Sequence, residues 1–207
     1  GMTVEEKKAR YQEMNKNVVK GQILFVGSSL MEMFPVEKLL KEAGYTGIVY
    51  NRGIGGYVID DLRGSLEDCI FALEPKRIFI NIGTNDLTRA DWTLKEIMEN
   101  YDLLISEIIK RLPAVELYFM AYYPVNEDAA EENMKEALKI RTNEKIQMAN
   151  EEVKKLAEKY HAKYIDVNKG LRDERGRLKA EYTIEGMHIN ENGYRAIIPE
   201  LMKYVRE

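Results

Sequence analysis

The chain has 207 residues, 45% of them hydrophobic and 32% charged, with a formal net charge of −4. These values suit a globular protein and exclude a disordered, low-complexity one. No apolar run approaches bilayer-spanning length, no basic stripe with interleaved aromatics points to nucleic acid, and the lone cysteine, Cys69, cannot form an internal disulfide.

Residues 1–207 are expected to form one domain. Gly1 before Met2 reads as a residue left by cloning. The stretch from Met2 to Lys8 lacks the apolar segment of a signal peptide, so a cytoplasmic location is expected. In chain order, short apolar runs rich in β-branched and aromatic residues predict five strands: 23–26, 48–50, 77–82, 116–121 and 163–167. Each run is nearly continuously apolar, as in buried parallel strands. Helical spacing fills the gaps. Val36, Leu39, Leu40 and Ala43 share a face that ends at Gly44. Ile59, Leu62, Leu66, Ile70 and Leu73 make a stripe stopped before Pro75, with Cys69 on its apolar side. Thr93 with Glu96 forms a capping box ahead of Ile97, Tyr101, Leu104 and Ile108. A long face runs from Ile146 to Tyr160, and Ile197, Leu201 and Tyr204 close the chain. Alternation of this kind predicts an α/β fold, a three-layer α/β/α sandwich on a five-stranded parallel sheet. Periodicity does not order the strands.

Loops that follow parallel strands converge on one edge, where such sheets bind ligands. The first strand runs into Gly27-Ser28-Ser29. The second is followed by Asn51 to Gly56, the third by Gly83-Thr84-Asn85-Asp86, and the fourth by Tyr122-Tyr123-Pro124. Glu185-Gly186-Met187-His188 precedes the last helix. Serines at a strand end can cap the next helix, or one can act as a nucleophile, which requires a base. Of the two histidines, His161 sits among lysines at a helix end and reads as solvated. His188 follows a carboxylate by three residues, which fits a base oriented by an acid. An oxyanion needs fixed donors: the Gly56 N–H, the Asn85 amide and the nucleophile's own N–H are available. The glycine run can also be a plain turn; it fits neither the dinucleotide fingerprint nor the Walker pattern. Asn85 and Asp86 can equally form a turn and cap a helix.

Four of these blocks, Gly27 to Leu30, Asn51 to Gly56, Gly83 to Asp86 and Glu185 to His188, together resemble the SGNH hydrolases, or GDSL-type esterases and lipases, with a general look similar to bacterial members related to platelet-activating-factor acetylhydrolase. The resemblance runs from Gly27 to His188. It implies a flavodoxin-like sheet of order 2-1-3-4-5, ester hydrolysis through an acyl-enzyme, and no metal or organic cofactor. It implies that Ser29 is the nucleophile and His188 the base, with Glu185 in the acid's place. The Ser29 and Gly56 amides and the Asn85 side chain would form the oxyanion hole. Two positions depart from the pattern: Ser28 stands where aspartate often precedes the nucleophile, and Glu185 where the acid is usually aspartate. The Gly-x-Ser-x-Gly elbow of α/β-hydrolases is absent. Short loops favour a small acyl group, such as acetyl, over a long lipid chain; the substrate expected is a small-molecule ester of a carbohydrate or lipid. Leu30, Tyr57 and Tyr123 are candidates for the pocket lining, or for packing. The competing readings are a catalytically silent flavodoxin-like binding module and a nucleotide or flavin binder.

Overall fold

The computed structural model describes residues 1–207. Five strands, β1 (Ile23–Gly27), β2 (Val49–Asn51), β3 (Arg77–Asn81), β4 (Glu116–Met120) and β5 (Lys163–Ile165), form one sheet of order β2-β1-β3-β4-β5. Every pairing is parallel. Ten α-helices accompany them: α1 (Val4–Asn15), α2 (Ser29–Glu32), α3 (Val36–Glu42), α4 (Ile59–Arg63), α5 (Leu66–Cys69), α6 (Thr84–Leu87), α7 (Leu94–Arg111), α8 (Lys135–Ile140), α9 (Asn143–Lys159) and α10 (Glu191–Val205). No helix is long and apolar enough to cross a membrane.

Alternation along the strands divides the core into two layers. Leu24, Val26, Ile78, Ile80 and Phe119 face one apolar cluster, with residues of α4, α5, α7 and α9. Ile23, Phe25, Phe79, Tyr118 and Ile165 face the other, with residues of α3 and α10. Register sets Phe25 beside Phe79 and Phe79 beside Tyr118. Their rings stack at 4.7 and 4.5 Å, a ladder across the three inner strands. Contacts of this type contribute about 0.5–1.5 kcal/mol each beyond area burial. The central strands β1 and β3 are buried at every position, whereas β2 and β5 lie at the edges and are only partly buried.

The third, fourth and fifth strands end one or two residues before their apolar runs do, and three other local expectations shift. The second strand begins at Val49 because Ile48 points to solvent, 41% exposed. The stripe from Ile59 to Leu73 is broken into α4, α5 and a 3-10 turn at Phe71–Leu73. Gly64 caps α4, and Ser65 leaves helical geometry while its hydroxyl pairs with the Tyr57 hydroxyl at 2.8 Å. Its apolar residues stay buried, so the spacing marked the face but not the continuity of the helix. At α7, Thr93 Oγ1 accepts from the Glu96 N–H, one half of the expected box.

Candidate active site

The carboxyl ends of β1 and β3, the glycine loop after β2 and the loop before α10 meet at one edge. β1 ends at Gly27, Ser28 is buried, and Ser29 opens the short helix α2. The opposite wall is the turn from Thr183 to Ile189, closed by a bridge between those two residues. Within that turn the Thr183 hydroxyl donates to the His188 carbonyl and accepts from the Gly186 N–H. Asn190 then caps α10 by accepting from the Gly193 N–H. The imidazole of His188 is thus carried on a braced segment.

Ser29 Oγ lies 3.1 Å from His188 Nε2, across 159 positions of sequence. His188 Nδ1 lies 2.5 Å from Glu185 Oε2. A carboxylate accepts only, so Nδ1 carries the proton and Nε2 is left to receive the serine proton. The glutamate side chain folds back onto its own loop: Oε1 accepts from the N–H groups of His188 at 2.6 Å and Met187 at 3.1 Å. That curl takes up the extra methylene relative to aspartate. Burial raises the Glu185 pKa, but the bonds from His188 and Met187 outweigh it and hold the carboxyl below its ordinary range.

On the other side stands the glycine loop. Gly56 has φ +81°, a left-handed conformation open to glycine at no steric cost. Its N–H makes no hydrogen bond within the chain, nor does that of Ser29. Asn85 donates one amide hydrogen to the Tyr57 carbonyl at 2.9 Å, which fixes the amide and leaves its second hydrogen free. Gly83, at φ +130°, starts this turn where a Cβ would stand 2.3 Å from the Tyr122 hydroxyl. Asp86 is fully buried and both its oxygens accept from the Ile59 N–H, at 3.1 and 3.2 Å, capping α4. Burial pushes its carboxyl up to about 7, against the pull of that N–H. The Asn85 and Asp86 bonds together tie the turn after β3 to the segment 57–59.

The structure therefore brings Ser29, His188 and Glu185 into one hydrogen-bonded chain. The pocket-lining expectations fare differently. Tyr123 has no exposed surface and packs against Tyr194 in the core, so it lines no open pocket. Leu30 and Tyr57 keep only 4% and 5% of their surface. His161 is exposed.

Sequence reasoning missed the supports beneath the site. Arg141 is buried without a carboxylate partner; one nitrogen donates to Met187 Sδ, and burial lowers its pKa to about 10 while nearby Glu185 opposes the shift. No cluster of three or more His, Cys, Asp or Glu side chains is arranged to hold a metal ion. A hydroxyl, an imidazole and a carboxylate in series can activate a serine for acyl transfer.

Comparison with known proteins places the chain in a family of ester hydrolases. The chain belongs to the GDSL-like lipase/acylhydrolase family, which matches residues 33–196. The domain is of the SGNH esterase type. A Streptococcus pneumonia protein provisionally named a platelet activating factor is 33% identical, with a TM-score of 0.85 over 97% of this chain and 92% of that one. Axe2, an acetylxylan esterase from Geobacillus stearothermophilus, shares the fold at 20% identity and a TM-score of 0.68, covering 90% of this chain and 95% of that one. An N-acylneuraminate cytidylyltransferase from Escherichia coli O18:K1:H7 (strain RS218 / NMEC) is 25% identical over 225 residues. The match takes in 99% of this chain, which spans 48% of that relative's length. The family match begins after Ser29, so the case for that serine rests on its geometry.

Proposed function

We propose that the protein hydrolyses esters of small acyl groups, of the acetyl type, on a carbohydrate or lipid, with Ser29 as nucleophile. His188 Nε2 removes the serine proton as Oγ bonds to the ester carbonyl carbon. The carbonyl electrons move to oxygen, and the N–H groups of Ser29 and Gly56 and the free amide hydrogen of Asn85 stabilise that charge. Collapse expels the alcohol, which takes the proton from His188, and leaves an acyl-serine. Water, deprotonated by the same imidazole, then releases the carboxylic acid. Glu185 keeps Nδ1 protonated and stabilises the imidazolium.

The observation that carries this reading is the chain of contacts Ser29 Oγ to His188 Nε2 at 3.1 Å and His188 Nδ1 to Glu185 Oε2 at 2.5 Å. A small acyl group suits a site whose neighbours Leu30 and Tyr57 are nearly closed off. The test is hydrolysis of p-nitrophenyl esters from acetate to octanoate, with labelling by a serine-directed organophosphonate. Acetate is expected to be preferred, and Ser29→Ala to lose at least about 10³-fold in kcat along with all labelling. A wild-type protein that neither turns over acetate nor takes the label would overturn the mechanism, and preference for octanoate would overturn the acyl-size assignment.

A further inference from the structure

The helix α1 is largely polar and buries no residue fully, yet it lies against the glycine loop. The Tyr11 hydroxyl donates to the Gly53 carbonyl at 2.5 Å. Lys7 Nζ lies 2.9 Å from Glu32 Oε1, and the same oxygen accepts from the Gly55 N–H at 2.7 Å. Glu32 ends the short helix that Ser29 begins. A Cβ on Gly55 would stand 3.4 Å from Glu32 Oε1, and 3.6 Å from both Lys7 Nζ and Ser29 Cβ. Lys7, Glu32 and Ser29 thus surround one point, next to the Gly56 N–H in the chain.

We propose that Glu32 is a positioning residue for the Gly56 N–H, and that Lys7 of α1 holds Glu32 in place. This rests on the reading of Gly56 as an oxyanion donor. The glycine loop has backbone freedom in the direction its donor must be fixed, at φ +81°. A carboxylate on the preceding N–H makes a charge-assisted bond, stronger than a neutral one. It anchors the loop to the helix that carries the nucleophile, so donor and nucleophile keep their spacing. Lys7 and Glu32 keep 24% and 32% of their side-chain surface. A pair this exposed adds little to stability; its effect is to hold the carboxylate toward Gly55.

Wild type, Glu32→Ala, Glu32→Gln and Lys7→Met are to be compared on p-nitrophenyl acetate, with rates normalised to organophosphonate-labelled serine so that misfolded protein does not count. Glu32→Ala is expected to lower kcat about 10- to 100-fold, below the cost of deleting a donor outright, with KM within about twofold. Affinity for a trifluoromethyl ketone, which forms the tetrahedral adduct, should fall by the same factor. Glu32→Gln keeps an acceptor oxygen and should recover activity to within a few-fold of wild type, and Lys7→Met should fall between. An alanine variant within twofold of wild type in kcat, or a glutamine variant as impaired as alanine, would overturn the proposal while leaving the Ser29 mechanism standing. Absence of turnover and labelling in the wild type would remove both.

Discussion

Glu185 and Asp86 are both buried carboxylates at the carboxyl edge of the sheet, 9% and 0% exposed, and both accept backbone N–H groups. Glu185 has an imidazole N–H at 2.5 Å as well and is held below its ordinary pKa. Asp86 has no cationic or imidazole partner, and its burial raises it to about 7. Desolvation is the largest influence on each. What separates them is depth of burial, greater for Asp86, and the donors on Glu185, the His188 backbone N–H first and then its imidazole. That difference assigns them different work: one can stabilise charge on His188 during a reaction, and the other serves as a cap that holds two loops together.

The largest effect should come from removing the acid. Glu185→Gln is expected to lower kcat by about 10²- to 10⁴-fold, because the amide cannot fix the imidazole tautomer as a carboxylate does. Steady-state kinetics with Ser29 labelling measures this. If Glu185→Gln retained most of the wild-type kcat, the contrast between the two carboxylates would have no catalytic meaning. Glu185→Asp sharpens the point. The shorter side chain cannot hold both Nδ1 and the Met187 and His188 N–H groups from the same backbone, so an intermediate loss of about tenfold is expected. Next comes Asn85→Ala, which removes one of the proposed oxyanion donors and should cost about 10²-fold in kcat.

Asp86 should reveal itself in stability rather than rate. Its pKa is higher in the folded state than in the unfolded chain, so between the ordinary aspartate range and about pH 7 the folded form binds a proton that the unfolded form has lost. Stability from this group is fully present at acid pH and declines as pH rises through 7. Asp86→Asn keeps an acceptor for the Ile59 N–H and carries no charge. Thermal melts should therefore show the variant below or equal to wild type near pH 5 and gaining on it by several degrees near pH 8. A difference between the two proteins that did not change with pH would contradict a proton on Asp86.

Sequence reading located the residues of this contrast unequally. Ser29, Asn85 and His188 each follow or precede an element whose periodicity is plain, and parallel strands bring such positions to one edge. Which carboxylate reaches the imidazole was legible from the spacing of Glu185 and His188, three residues apart. The curl of the glutamate onto its own N–H groups was not, because it depends on rotamers and on the brace from Thr183. Helix α1 carries no amphipathic stripe and is absent from the predicted elements. Lys7 and Glu32 meet across 25 positions, and no local pattern encodes a contact of that kind. Buried Arg52, gripped by the rings of Tyr11 and Tyr50, was invisible for the same reason.

The two histidines repeat the contrast at the opposite ends of the sheet, and they supply its smallest test. His188 is fixed by side chains at both ring nitrogens. His161 is exposed, two residues before β5, at the amino edge away from the site. It terminates α9 with φ +54°, its N–H bonded to the Glu158 carbonyl and the Ala162 N–H to that of Ala157. That is the Schellman arrangement, in which glycine is the favoured residue at the left-handed position. A histidine there carries a Cβ strain of roughly 1–2 kcal/mol, partly offset in a glycine variant by the greater entropy of its unfolded chain. His161→Gly should therefore stabilise by about 0.5–1 kcal/mol, a rise in Tm of roughly 1–4 °C for a chain of this length, with kcat/KM unchanged. A loss of esterase activity in His161→Gly, at unaltered stability, would show that the imidazole at the amino edge matters for more than ending a helix.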